Sequence, residues 1–450
     1  MNIFTYTFSV LKPSSAFLVL SATIIGTQLS AQKKIDSYFD HLLANNKMMG
    51  SVAIAHRDSI IYTKAMGYAD IDTKLMNNKD TKFRIGSITK TFTGALVLKA
   101  IEENKLQLED KLSAYFPEVK NAQKITIRQL LNQRSGIFNF TEIEGENEWE
   151  KSFHTQKEFM DFFINKESNF EPGTEYEYSN TNYALLGFIL EKVYQKTYAE
   201  ILDEKISKPL HLKNTYYSFE VDSKKNEAIS YNIQNHYIRN GVTNFSNHPA
   251  SGGITSTPTD VNKFLFGLFH NKLINAESLK IMLPEKDGEY GMGITKFQLG
   301  KNEFYEHSGR VENYFSDYWY MAKENLGIVV LANAINIPTE DVSKALTIHA
   351  YNNDPVLPDF NKTAELSTKE FAEIKGTYFT NDKKESVTIS SDGSSLVYQG
   401  SESGQDYISF NFKTKNTFEY ETIKLVFEPK KNQFTIYQDE IIKVFTKNAS

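Results

Sequence analysis

Strand-type runs stand at the two ends of one long segment of this chain, and helical patterns fill the middle. Ser51-Val-Ala-Ile-Ala-His56 and Ile60-Ile-Tyr-Thr63 are β-rich, and Arg57-Asp58-Ser59 between them is a hairpin signature. Strand character returns only in Glu303–His307, Ser316–Ala322 and Gly327–Asn333. Ile35–Asn45 reads as an amphipathic helix, and Ile125 to about Ala276 reads as mainly helical, broken by loops such as Asn169–Thr174 and Asn247–Thr259. The arrangement that satisfies both ends is one antiparallel sheet, closed by N- and C-terminal parts, with helices packed on it. The fold class expected is therefore α+β.

The pattern changes after residue 350. Asn352–Glu365 is polar, carries two prolines and reads as a linker, so residues 351–366 are expected to connect two domains. Beyond it Ser386–Ile389, Ser395–Tyr398, Tyr407–Lys413, Phe418–Glu428 and Phe434–Tyr437 alternate apolar and polar residues between turn signals. Residues 367–450 are expected to form a small all-β meander or barrel.

At the N-terminus, Ala16–Ile25 is a short apolar run with no charge between Lys12 and Lys33, followed by Leu29-Ser30-Ala31 with a small residue at a cleavage position. A spanning helix needs ~20 apolar residues, and Ser21, Thr23 and Gln28 interrupt this one. Residues 1–31 are expected to be a cleaved signal peptide, a retained anchor being the alternative. The mature chain, with no later spanning segment, is expected to be secreted or periplasmic.

Composition narrows the chemistry. The 450 residues carry 50 Lys+Arg against 56 Asp+Glu, a net charge of −6, so no basic excess exists to neutralise phosphates and no nucleic-acid partner is expected. Cysteine is absent, which removes disulfides, thiol nucleophiles, thiolate-ligated zinc and a lipid-bearing cysteine. Any nucleophile must be an oxygen or an amine.

Three short motifs supply such groups. Ser87-Ile-Thr-Lys90 places an amine one helical turn after a hydroxyl, at the start of an apolar helical run from Ile88 to Glu103. Gly86 permits a tight strand-to-helix approach, and burial on that helix would lower the lysine pKa toward that of a base. The same spacing at Ser9–Lys12 and Ser30–Lys33 falls in or beside the expected signal peptide. Read alone, Ser87 is equally an N-cap followed by a solvated lysine. Tyr178-Ser179-Asn180 sets a phenol and an amide two residues apart, a proton carrier and a positioner, or else a packed tyrosine before an N-cap. A phenolate there would be favoured by a nearby ammonium. His307-Ser308-Gly309 is the only His-x-Gly among nine histidines and ends an expected strand. Its glycine would let the backbone approach a carbonyl, with the N–H groups of Arg310 and Ser87 as an oxyanion hole. A structural histidine is the alternative.

Taken in order, these motifs resemble the serine β-lactamase, penicillin-binding protein and related esterase family. The likeness is greatest to its class C-like branch, with Ser-x-x-Lys, Tyr-x-Asn and Lys/His-x-Gly. Thr126–Ile137, the Glu171-Pro-Gly…Tyr178-Ser-Asn run and Gly252–Asp260 are similar to the family too, and the resemblance covers about Ile35–Ala350. It implies an α/β/α sandwich beside a helical subdomain, with the serine between them. It implies Ser87 as nucleophile, Lys90 and Tyr178 as the acid/base pair, and Asn180, His307, Ser308, Gly309 and Arg310 around the substrate. The reaction implied is acyl transfer on a small-molecule or peptide amide or ester, with no cofactor. His307 departs from the lysine usual in dedicated β-lactamases and is neutral for much of the time near pH 7, a change common in esterase and D-peptidase-like members. Two further possibilities remain: a true β-lactamase, and a sensor that acylates without turnover.

Other features carry less. Glu142, Glu144, Glu146, Glu148 and Glu150 read as a solvated loop, His236 and His248 lack metal-ligand spacing, and no Gly-x-Ser-x-Gly elbow or phosphate loop occurs.

Overall fold

The computed structural model describes residues 33–142, 149–233, 236–241, 243–358, 360, 368–383, 385–391, 396–400, 408–414, 416–420, 423–438 and 441–447. The expected signal segment 1–31, the Ser9–Lys12 copy, Ser30 of the Ser30–Lys33 copy, Glu144, Glu146, Glu148 and part of the expected linker lie outside the described residues.

A helix over 33–44 (α1) leads into β1 (Met48–His56) and β2 (Ser59–Met66). The principal helices that follow are α2 (Thr89–Glu102), α3 (Asn180–Tyr194) and α4 (Pro258–Phe269). Then come β3 (Thr295–Leu299), β4 (Asn302–Val311), β5 (Tyr314–Met321), β6 (Leu326–Ile335) and α5 (Thr339–Ala350). The strands form one antiparallel sheet in the order β3-β4-β5-β6-β1-β2. The two ends of the segment meet where β1 pairs β6, from Met48↔Ile335 to His56↔Leu326.

Both faces of the sheet are covered, as alternation along β6 requires. Ile328, Val330 and Ala332 pack with Ile35, Phe39 and Leu42 of α1 and with Val342 and Leu346 of α5. Val329 and Leu331 join the larger core on the opposite face, with Phe92 and Leu96 of α2 and Phe264 of α4. Helix α2 buries every residue from Thr89 to Leu98. A helix apolar nearly all round belongs in the middle of a layer.

The helical reading of 125–276 was too simple. Short strands Tyr216–Tyr217, Tyr231–Ile233, Tyr237–Arg239 and Ile254–Ser256 interleave with the helices. Ile254–Ser256 is held by pairing to Phe83–Arg84 and Tyr216–Tyr217, partners remote in sequence, so local periodicity cannot announce it.

The C-terminal segment forms a closed eight-stranded meander: β7 (Gly376–Phe379), β8 (Ser386–Ser391), β9 (Leu396–Gly400), β10 (Ile408–Thr414), β11 (Thr417–Tyr420), β12 (Ile423–Glu428), β13 (Gln433–Gln438) and β14 (Ile441–Lys447). Tyr378, Phe410, Phe418, Phe427, Phe434 and Phe445 pack in its core. Closure rests on β7 pairing β14 at Tyr378↔Lys447 and Phe379↔Thr446, two strands the alternation pattern did not single out. The chain leaving α5 is anchored rather than free: Phe360 stacks on His41 at 5.2 Å, and His41 Nε2 donates to the Pro358 carbonyl at 2.8 Å. Among the described residues no helix is long and apolar enough to cross a membrane.

Candidate active site

Ser87 sits on a single 3-10 turn, Gly86–Ile88, that runs directly into α2. Two glycines lock this turn against β4. Gly86 has φ +48°, and a Cβ on it would stand 2.8 Å from the Arg310 nitrogen. A Cβ on Gly309 would stand 2.3 Å from the Ile85 carbonyl and 2.8 Å from the Ser87 nitrogen. The Ser87 and Arg310 amides therefore meet at one backbone crossing that no larger residue permits. The close approach expected of Gly309 is thus made first to the serine turn itself.

One turn on, Lys90 is fully buried. Its Nζ lies 2.9 Å from Ser87 Oγ, 2.8 Å from Asn180 Oδ1 and 2.7 Å from the Ser251 carbonyl. The amide and carbonyl oxygens can only accept, whereas a hydroxyl can also donate. A neutral amine therefore fits completely: it donates twice, and its lone pair receives the Ser87 hydroxyl proton. Burial pushes the Lys90 pKa well down, which favours that neutral form.

Tyr178 faces the same point. The Lys90 Nζ stands 4.8 Å from the centre of its ring. Burial raises the phenol pKa, and the Ser87 hydroxyl offsets only part of the rise. The resting phenol is protonated, not the phenolate expected beside an ammonium, because the site that strips water from Tyr178 also strips the charge from Lys90. Asn180 opens α3, and its backbone N–H donates to Asn139 Oδ1 at 3.0 Å.

His307 lies on β4 and is 7 % exposed. Its Nδ1 is 2.6 Å from the Ser308 carbonyl and must donate to it; its Nε2, 3.0 Å from the Tyr290 hydroxyl, then accepts. Burial lowers its pKa to about 3. The imidazole is neutral throughout the range in which an exposed histidine titrates. Ser308 and Arg310 occupy the alternate, exposed positions of the strand, and the Arg310 guanidinium lies 4.8 Å over the Phe315 ring. Their side chains stand apart from the buried network around Lys90.

Three contributors escaped the sequence. Ser251 acts through its main-chain carbonyl, which leaves no side-chain signature. Asn139 lies just past the Arg134-Ser-Gly136 turn and reaches Asn180 only through the fold. Tyr290 caps His307 and meets Tyr178 edge-on at 5.8 Å; no spacing ties it to either. His248, without metal spacing, instead pairs with Glu150 at 2.6 Å.

Known proteins share this arrangement of chain. The family model described as Beta-lactamase matches residues 35–352. Protein flp of Staphylococcus aureus (strain MRSA252) is 32% identical over 323 residues, 67% of this chain and 63% of that protein. The teichoic acid D-alanine hydrolase of Staphylococcus aureus is 29% identical over 257 residues, 56% of this chain and 61% of the relative. The matches thus span less than two thirds of each relative's own length. The crystal structure of D-amino acid amidase from Ochrobactrum anthropi SV3 superposes with a TM-score of 0.61 at 25% identity, covering 70% of this chain and 99% of the amidase.

Proposed function

The chain belongs to the Beta-lactamase family, and from that premise we propose that it is a serine hydrolase cleaving D-aminoacyl esters or amides through an acyl-enzyme on Ser87. The observation that carries this reading is the Lys90 amine, fully buried, held by two acceptors and aimed at Ser87 Oγ from 2.9 Å. The relatives named for D-alanine hydrolysis and D-amino-acid amidation support the acyl class.

The steps follow from the resting protonation states. Ser87 Oγ attacks the substrate carbonyl carbon while its proton passes to the Lys90 lone pair. The oxyanion forms at the crossing of the Ser87 and Arg310 N–H groups; a positioned donor of this kind contributes ~3–4 kcal/mol. As the tetrahedral adduct collapses, the Tyr178 phenol protonates the departing alkoxide or amine, and the Lys90 ammonium restores the phenol proton. Water then attacks the acyl carbon, gives its proton to the same pair, and Ser87 leaves with a proton returned. His307 is kept neutral by burial and is assigned no proton transfer. A neutral imidazole offers no fixed charge to a substrate carboxylate, which favours a D-aminoacyl ester over a penicillin. The reading extends to export: the apolar run and Leu29-Ser30-Ala31 support action outside the cytoplasm, and N-terminal sequencing of the mature protein tests it.

The deciding experiment is intact-mass analysis with an activated ester and a D-alanyl ester. Wild type should form and clear an adduct on Ser87. Ser87→Ala should do neither while melting almost unchanged, and Tyr178→Phe should be ~10²-fold slower. Turnover surviving in Ser87→Ala refutes the assignment, and an adduct that never clears makes the protein a sensor.

A further inference from the structure

Lys90 can act as a base only if its lone pair faces Ser87, and that depends on which atom of the Asn180 amide faces Lys90. Nothing in the Lys90–Asn180 contact itself decides this, because a neutral amine can donate to Oδ1 or accept from Nδ2. In the second orientation the Asn180 amide would take the lone pair that Ser87 needs.

Asn139 decides the matter. The backbone N–H of Asn180 can only donate, so the Asn139 atom 3.0 Å from it is necessarily the carbonyl oxygen. The other end agrees: Asn139 Nδ2 donates to the Glu142 carboxylate, an obligate acceptor, at 3.2 Å. With its oxygen fixed, Asn139 also accepts from Asn180 Nδ2 at 3.4 Å, and Thr141 Oγ1 stands at the same distance from that nitrogen. Reversing the Asn180 amide would press two carbonyl oxygens together. Asn139 is itself 8 % exposed, so water is a poor substitute for its contacts.

We propose that Asn139 is a positioning residue for the reaction, which orients the Asn180 amide and through it directs the Lys90 lone pair to Ser87. The inference rests on the acyl-transfer reading above and adds a residue outside its three motifs. The polarity runs one way, from the Asn180 main chain to Asn139 Oδ1, back to Asn180 Nδ2, and from Asn180 Oδ1 to Lys90.

The test compares Asn139→Ala and Asn139→Asp with wild type, using p-nitrophenyl acetate as the probe between about pH 5 and 9. Asn139→Ala should lower kcat by about 10- to 100-fold with KM within about twofold. Its acid limb should move to lower pH, because an amide nitrogen turned toward Lys90 disfavours the ammonium. Asn139→Asp, made in a Glu142→Gln background so that two carboxylates do not face each other across the present 3.2 Å contact, keeps an acceptor in place and should restore kcat to within about threefold, while its charge moves the limb to higher pH. Opposite shifts are the signature, since a merely loosened fold lowers activity without moving the limb. An unchanged kcat and limb in Asn139→Ala, or equal losses in both variants with the limb fixed, overturns the proposal. A wild type that never acylates at Ser87 refutes the acyl-transfer reading instead. The Lys90 13Cε titration then decides for Asn139 alone: a shift between wild type and Asn139→Ala sustains it, and identical curves reject it.

Discussion

The sandwich and the barrel are both built on antiparallel sheets packed against an apolar interior, the first open and covered by helices and the second closed on itself, but they bury different things. The sandwich takes Arg84, Lys90, Asp260, His307 and Asp317 out of water, together with the amides of Asn180's neighbours. Among the described residues of the barrel, the one buried polar side chain is Thr435, beside a dozen apolar ones. Burying an ionisable group is unfavourable unless it is paired or neutral. That the sandwich tolerates several, one of them the Lys90 amine 2.9 Å from Ser87 Oγ, teaches where this molecule does its chemistry. The barrel interior is packed with phenylalanine rings and offers stability rather than reactivity.

The comparison breaks most sharply at Lys90. Lys90→Met keeps the shape of the side chain and removes the base, so Ser87 acylation should fall by at least ~10²-fold. The melting temperature should move little, because relief of desolvation offsets two acceptors left unpaired. A calorimetric scan beside a labelling assay checks both halves. If activity survives, the buried amine is structural and the contrast between the two regions loses its meaning.

In the barrel the same kind of cut should act only on folding. Phe434 is fully buried, 5.2 Å from the Phe445 ring and 4.9 Å from Tyr378. Phe434→Ala should destabilise by ~3–5 kcal/mol, read as an earlier urea transition of the C-terminal segment, with Ser87 labelling unchanged below that transition. A labelling rate that falls with it would tie the barrel to the site.

The smallest effect concerns the back of the sheet. Asp317 receives a hydrogen bond from Ser343 Oγ at 2.6 Å, while its Oδ1 has no partner. Burial, with Glu306 and Glu340 nearby, raises its pKa from 3.8 to about 8. A carboxyl raised in the folded state contributes fully below its unfolded pKa, and the contribution is lost as pH rises through the folded value. Asp317→Asn should therefore match wild type near pH 4 and melt a few degrees higher above about pH 8. Melting curves across that range check it, and a gap that is constant with pH contradicts the assignment.

How much of this was legible in the sequence depends on the range of the contact. Ser87 and Lys90 lie on one helical turn, so spacing alone brought them together. The β1–β2 hairpin and the strands at 303–333 announced themselves by local alternation, and the sheet that joins them followed from their isolation. Tyr178, Asn180 and His307 were found as motifs, but their states were not. Depth of burial turned an expected phenolate into a phenol, and a histidine expected to be neutral for much of the time near pH 7 into one neutral throughout, and depth is a property of the fold. Ser251 contributes a main-chain carbonyl, and Asn139 and Tyr290 meet their partners across long loops, where no periodic or spaced signal exists. The barrel shows the same limit: its middle strands alternate cleanly, whereas the closure itself rests on two pairs, Tyr378↔Lys447 and Phe379↔Thr446, between strands far apart in sequence.

The neutrality of Lys90 is the centre of the account. Its most direct test is the 13Cε titration of lysine-labelled protein, with Lys90 assigned by the resonance missing in Lys90→Arg. This one lysine should titrate well below the ~10.4 of exposed lysines and should be an amine under the conditions in which Ser87 acylates. A Lys90 that titrates with the bulk would contradict it, since an ammonium there has no lone pair to receive the serine proton.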